Sequence, residues 1–137
     1  MARRPRPAAR APGRYALQAA IAVEHTRAPV RWERIVALYD RLAARAPDPV
    51  VELNRAVAIA EAGDVAGALA RIDALSPALE RYHYLNAARA DLLRRLGAHD
   101  AAADAYARAR DLAGNAAERA FLERRRMDLT PGGVVGC

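Results

Sequence analysis

The stretch RAVAIAEAGDVAGALARI, Arg55 to Ile72, has a counterpart further along in RADLLRRLGAHDAAADAY, Arg89 to Tyr106. Laid one on the other, Arg55 meets Arg89, Ala56 meets Ala90 and Ile59 meets Leu93, while Gly63 meets Gly97, Ala68 meets Ala102 and Ile72 meets Tyr106. Small residues, one glycine and one large apolar residue recur at fixed offsets. That pattern marks helix-turn-helix units that cannot bury their apolar faces alone and do so by stacking on their neighbours. The register extends backwards with one residue removed: Tyr39 stands to Ile72 as Ile72 stands to Tyr106, one position short, and Pro47 lies where the repeat closes.

A period of about 34 residues is that of the tetratricopeptide (TPR) repeat. The expected fold is all-α: a TPR-like, right-handed stack of three helical hairpins, about seven helices in all, with a C-terminal capping helix. Working outward, a first helix is expected over 14–26, with Leu17, Ala20, Ile21 and Glu24 on one stripe and Ala16 and Val23 widening it. A second is expected over 31–46, where Trp32, Ile35, Val36, Tyr39 and Leu42 share a face. Asp48-Pro49 starts the third, which ends at Gly63, and Asp64 caps the fourth. Ser76-Pro77 repeats the start signal, so the fifth helix is expected from there to Leu96, with Leu96 buried. The sixth covers 100–113, with His99 in the preceding turn. Asn115 with Glu118 opens a seventh that carries Ala117, Phe121, Leu122 and Met127 inward and Arg119, Arg124, Arg125 and Arg126 outward. Residues 1–13, rich in Arg and Pro, read as a disordered basic linker, 14–128 as the helical domain, and 129–137 as a flexible tail.

Composition narrows the function. Hydrophobic residues make up 53% of the 137, which excludes general disorder. All 22 basic residues are Arg, and +5 of the +6 net charge lies between Met1 and Arg14, leaving the remainder at +1. The charge therefore belongs to the tail, and a folded part so close to neutral is not expected to bind DNA specifically. Cys137 is single and terminal, which fits a reducing cytoplasm. No apolar run reaches the roughly 18 residues of a membrane span, and the N-terminus has no apolar core of a secretory signal.

Chemistry is hard to place. Without Lys there is no phosphate-loop lysine and no Schiff base, and the single serine, Ser76, reads as a helix cap. None of His25, His83 and His99 has metal-ligand spacing. No enzyme, cofactor or metal is expected. His83, between Tyr82 and Tyr84, is either a packing residue between hairpins or a ligand contact. Arg55 and Arg89 occupy one repeat position on the helices that usually line the concave face. There they either hold a carboxylate or acidic peptide, or pair with neighbouring acids such as Glu52 and Asp91.

The strings RYALQAAIAV (from Arg14), NRAVAIAE (from Asn54), YHYLNAARADLLRRLG (from Tyr82) and LAGNAAERAFLER (from Leu112) resemble the C-terminal extension of one group of bacterial extracytoplasmic-function (ECF) sigma factors. In that group a TPR-like domain follows the two sigma regions. The resemblance implies a regulatory domain of transcription whose partners are sigma regions or RNA polymerase, in cis or in trans, in place of a separate anti-sigma factor. It places family importance on Asn54, Arg55, Tyr82, His83, Arg89 and Asp91. The sigma regions have no counterpart before Arg14, so the chain is expected to act as an excised domain, a truncated product or a free protein. The alternative is a general TPR scaffold that takes a peptide or a small acidic ligand in its groove.

Overall fold

The computed structural model describes residues 13–129. The linker expected at the N-terminus and the tail expected at the C-terminus lie outside them, apart from Gly13 and Leu129. Seven helices follow in order: α1 Arg14–His25, α2 Trp32–Arg45, α3 Pro49–Glu61, α4 Val65–Leu79, α5 His83–Arg95, α6 His99–Leu112 and α7 Ala116–Asp128. Among the described residues there is no strand, and no helix is long and apolar enough to cross a membrane.

Each helix packs on its sequence neighbours, and α3 also touches α5. That connectivity is a stack of antiparallel hairpins, α1–α2, α3–α4 and α5–α6, with α7 as the closing helix. The core divides accordingly into three clusters. Leu17, Ile21, Ile35, Leu38 and Leu42 join Ala58 of α3, and Leu53, Ala56, Ala60, Ala68 and Ile72 join Leu85 and Leu92 of α5. Ala90, Leu93, Ala102, Tyr106 and Ala109 join Leu122 of α7. Every cluster thus takes one hairpin and the first helix of the next, as stacking units require. The repeat register holds in three dimensions: Ala56, Ala90, Ala68, Ala102 and Ile72 expose nothing, and Tyr106 almost nothing.

The helix boundaries have local causes. Asp48 accepts from the Val50 amide at 2.7 Å with Pro49 in the first turn, Asp64 from Gly67 at 2.8 Å, and Asn115 from Glu118 at 2.8 Å. The glycines end α3 and α5 in the same way. Gly63 and Gly97 take φ of 123° and 82°. The amides that follow them, Asp64 and Ala98, donate back to Ile59 and Leu93 at 3.1 and 2.9 Å, while Gly63 and Gly97 donate to Ala60 and Arg94 at 3.0 Å. This pair of crossed bonds closes the helix C-terminus, and glycine is needed because a Cβ disfavours positive φ.

Several expectations need correction. Ser76-Pro77 does not start α5: α4 runs through Pro77 to Leu79, and α5 begins at His83. Leu75 and Leu79 continue the stripe of Ile72 and pack on the middle cluster, so burial carries the helix beyond the proline. His99 is the first residue of α6 rather than part of a turn. Leu96 is exposed, because it is the C-cap before Gly97, where the chain leaves the core. On α7 only Leu122 is buried, and Ala117, Phe121 and Met127 are exposed, as is Val23 on α1. A helix packed on one side buries one narrow stripe, and α6 is the helix that α7 packs against.

The glycine argument predicts an asymmetry. Gly97→Ala should lower the unfolding free energy by about 1–2 kcal/mol, the cost of an L-residue held in the left-handed region. Gly114→Ala, at a site with open space and no positive φ, should be near neutral. Urea denaturation of the two variants checks this.

Candidate functional site

Ion pairs tie each hairpin to the next. Arg55 on α3 pairs with Asp40 on α2, with Glu52 3.5 Å from its Nη1. Arg89 on α5 donates from Nε to Asp73 on α4 at 2.7 Å. The two arginines are one full repeat apart and the two aspartates one position less, so one contact recurs at successive interfaces. The next step of the register beyond Arg89 is Glu123 on α7. There the polarity inverts: Glu123 accepts from Arg110 of α6 at 2.5 Å and from Arg126 at 2.5 and 2.9 Å. The hydrogen bonds from Arg126 and then Arg110 push the Glu123 carboxyl down to about 2.

Asp91 serves the same end. It accepts from Arg94 at 2.6 Å and lies 3.2 Å from Nε of Arg95, whose Nη2 reaches Glu61 on α3. Glu61 and Arg95 are themselves one repeat apart, so equivalent positions carry opposite charges and meet across the stack. At the first hairpin the buried Glu24 takes Arg31 in a two-pronged contact at 2.7 and 3.1 Å, with Arg27 at 3.4 Å and Arg34 at 3.8 Å. The Arg31 hydrogen bonds hold the Glu24 carboxyl below its ordinary range. Three of the six sequence-derived residues, Arg55, Arg89 and Asp91, therefore have intramolecular partners.

Of the other three, His83 and Asn54 line two clefts, and Tyr82 lies beside His83. His83 lines a cleft of about 300 Å³ between α5 and α7, with Tyr84, Ala87, Ala117, Glu118, Phe121 and Leu122. Its Nε2 lies 3.3 Å from Glu118, without the alignment of a hydrogen bond. Its ring leans on Tyr84 at 4.2 Å, and Tyr82 meets Tyr84 edge-on at 5.4 Å. Tyr82 is half-buried against the middle cluster, and its carbonyl accepts from Asn86 at 3.2 Å. Tyr84 and Phe121 are 53% and 46% exposed, so two aromatic rings stand open at an apolar cleft. Asn54 lines a second cleft of about 470 Å³ between α1 and α3, with Gln18, His25, Tyr39 and Asp48 on its walls. Burial pushes the Tyr39 phenol up.

Sequence reasoning missed Tyr84, Glu118 and Phe121 as cleft residues. The apolarity of Phe121 points to the core, and Glu118 reads as a capping residue. No spacing links either to His83, because α6 intervenes in the chain. The assembled surface offers apolar and aromatic contact, with the Glu118 carboxylate and the His83 imidazole among its lining groups. Among the described residues no three His, Cys, Asp or Glu side chains cluster to hold a metal ion.

No family model matches the chain. It is 43% identical over 117 residues to an uncharacterized protein of Rhizobium meliloti (strain 1021), a match that covers 82% of this chain and 28% of that protein. The chain thus spans less than a third of that relative's length.

The clamped Glu123 predicts an acid dependence. Its value in the folded protein lies below the ordinary 4.5, so folding favours the ionised form. The stabilisation is complete above about 4.5 and is lost as pH falls through about 2. Across that window, urea unfolding should show stability falling less steeply in Glu123→Gln than in the parent, with the variant already weaker at neutral pH. Equal slopes would contradict the clamp.

Proposed function

We propose that the chain is a non-catalytic regulatory module of transcription, of the kind that forms the C-terminal extension of ECF sigma factors. In this reading it works in the cytoplasm and binds sigma regions or RNA polymerase. The observation that carries the proposal is the α5–α7 cleft, where exposed Tyr84 and Phe121 flank an apolar floor beside His83 and Glu118. Exposed aromatic side chains at a groove are characteristic anchors for a protein partner. The sequence resemblance supplies the partner's class, and it singles out His83, which lines this cleft, and its neighbour Tyr82. A match to 28% of a longer relative also suits a module carried on larger proteins.

The ion pairing of Arg55 and Arg89 weighs against the small acidic ligand of the alternative reading, because both guanidiniums already have carboxylate partners and the cleft carries a carboxylate of its own. A peptide-binding scaffold without a role in transcription is the competing form. It is separated by partner identity.

The test uses the two sigma regions of an ECF sigma factor of this group, purified without their own C-terminal extension, and core RNA polymerase. This chain should bind one of them. The double variant Tyr84→Ala, Phe121→Ala should bind at least tenfold more weakly, since truncating anchor residues costs about 1 kcal/mol or more each. Its helical content should be unchanged, because both rings are exposed. Failure to bind either partner, with thermal stabilisation by a peptide or metabolite alone, would overturn the proposal.

A further inference from the structure

The first interface of the stack is filled differently from the later ones. At one matched position the register runs Asn54, Ala88, Leu122; Leu122 is buried and Ala88 packs on the middle cluster, while Asn54 is exposed. On α1, Gln18 follows buried Leu17 as Asn54 follows buried Leu53, so an amide stands at corresponding places on the two helices that pack against α2. At another matched position Ile72 and Tyr106 are buried, whereas Tyr39 is only half-buried. An amide has hydrogen-bonding needs that an apolar interior leaves unmet, so these side chains keep to the surface and the interface stays open between them. The opening is the cleft of about 470 Å³ between α1 and α3.

The lining says what fits it. Buried Ile21 and Leu42 give an apolar floor. Around it stand Gln18, His25, Tyr39, Asp48 and Asn54. Among the described residues neither amide, nor the Tyr39 hydroxyl, nor the His25 imidazole makes a hydrogen bond. Each of these four groups can both donate and accept. Charge is scarce by comparison. No arginine is among the described residues that line the cleft, although the chain has 22 basic residues. Asp48 turns Oδ1 onto the Val50 amide at the start of its own helix. An anionic ligand would meet no cation here and one carboxylate against it. A cationic ligand would meet that carboxylate already engaged by the positive end of α3.

We infer that the α1–α3 cleft binds a small uncharged molecule that carries a hydrogen-bond donor and an acceptor side by side. Asn and Gln take such an edge in two parallel bonds, one through the NH2 and one through the carbonyl. The edge of a nucleobase has this form, and so do neighbouring hydroxyls of a sugar. Tyr39 offers either of them a ring to lie against, and the volume is that of a small-molecule site. The site goes beyond the proposed function and does not rest on it, since it is formed by α1, α2 and α3 and shares no residue with the α5–α7 cleft.

The side-chain amides themselves report on the site. The sequence has four, Gln18, Asn54, Asn86 and Asn115, and the last two serve as internal controls in nitrogen–proton correlation spectra of the labelled chain. The probes are adenosine, uridine and glucose, each added to about 10 mM, where weak sites still fill, with AMP, UMP and glucuronate as their charged counterparts. At least one uncharged probe should move the Gln18 and Asn54 signals saturably and leave those of Asn86 and Asn115 in place. Its charged counterpart should bind at least tenfold more weakly. A response to the nucleosides alone, or to glucose alone, supports the site and identifies the edge it reads. Gln18→Ala, at an exposed position, should weaken binding at least tenfold with the helical circular dichroism unchanged. Asn54→Leu, which gives α3 the residue found at the matched position of α7, should abolish binding with the melting temperature unchanged or raised. The site is overturned if no uncharged probe moves Gln18 and Asn54, if the charged counterparts bind as tightly, or if binding survives both substitutions.

Discussion

The structure depends on how closely its helices approach at four alanines. Ala56, Ala68, Ala90 and Ala102 expose no surface, and they lie at matched positions on α3, α4, α5 and α6. Helix axes separated by small side chains come nearer than those held apart by Leu or Phe, and interiors leave no slack for an added methylene. Around these contacts Ile72 and Tyr106 fill the remaining space at one and the same repeat position. The repeat can vary at that place from aliphatic to aromatic because the alanines beside it do not vary.

Burial of this kind is non-directional and does not choose between hairpins. Direction comes from the charged ladder. Arg55 with Asp40 and Arg89 with Asp73 mark the first two interfaces, and the reversed pair of Glu123 with Arg110 marks the last. Ion pairs at a solvated surface contribute little energy individually, so their role is registry more than stability. Were the α3–α4 hairpin docked on α6 in place of α7, Arg55 would stand where Glu123 belongs, opposite Arg110. The arginines that a functional reading would assign to a ligand are committed to this ordering. In the proposed reading, recognition falls to the α5–α7 cleft, with its apolar floor and exposed Tyr84 and Phe121.

Much of the fold was legible because its causes are local or periodic. The recurrence of the Arg55–Ile72 pattern at Arg89–Tyr106 gave the hairpins, Gly63 and Gly97 gave two turns, and Asp48, Asp64 and Asn115 gave three helix starts, each matched by a side-chain or crossed backbone bond. Ser76-Pro77 misled because the local signal for a helix start was overridden by Leu79 reaching the core. Phe121 and Met127 misled because apolarity alone does not tell which side of a terminal helix finds a neighbour. The candidate site was legible only in part. His83 and Asn54 do reach clefts, but Asp40 and Asp73 could not be named as partners of Arg55 and Arg89 from a chain read in order. Those contacts join side chains on different helices, with a whole turn of chain between them.

The most direct test of the account is native-state hydrogen exchange, read helix by helix. A stack stabilised by nearest-neighbour burial should show graded opening, with the slowest exchange in α3 to α6, which have neighbours on both sides, and faster exchange in α1 and α7 at the ends. One opening free energy shared by all seven helices would mean a single cooperative core, and would contradict the stack of hairpins on which the proposed surfaces depend.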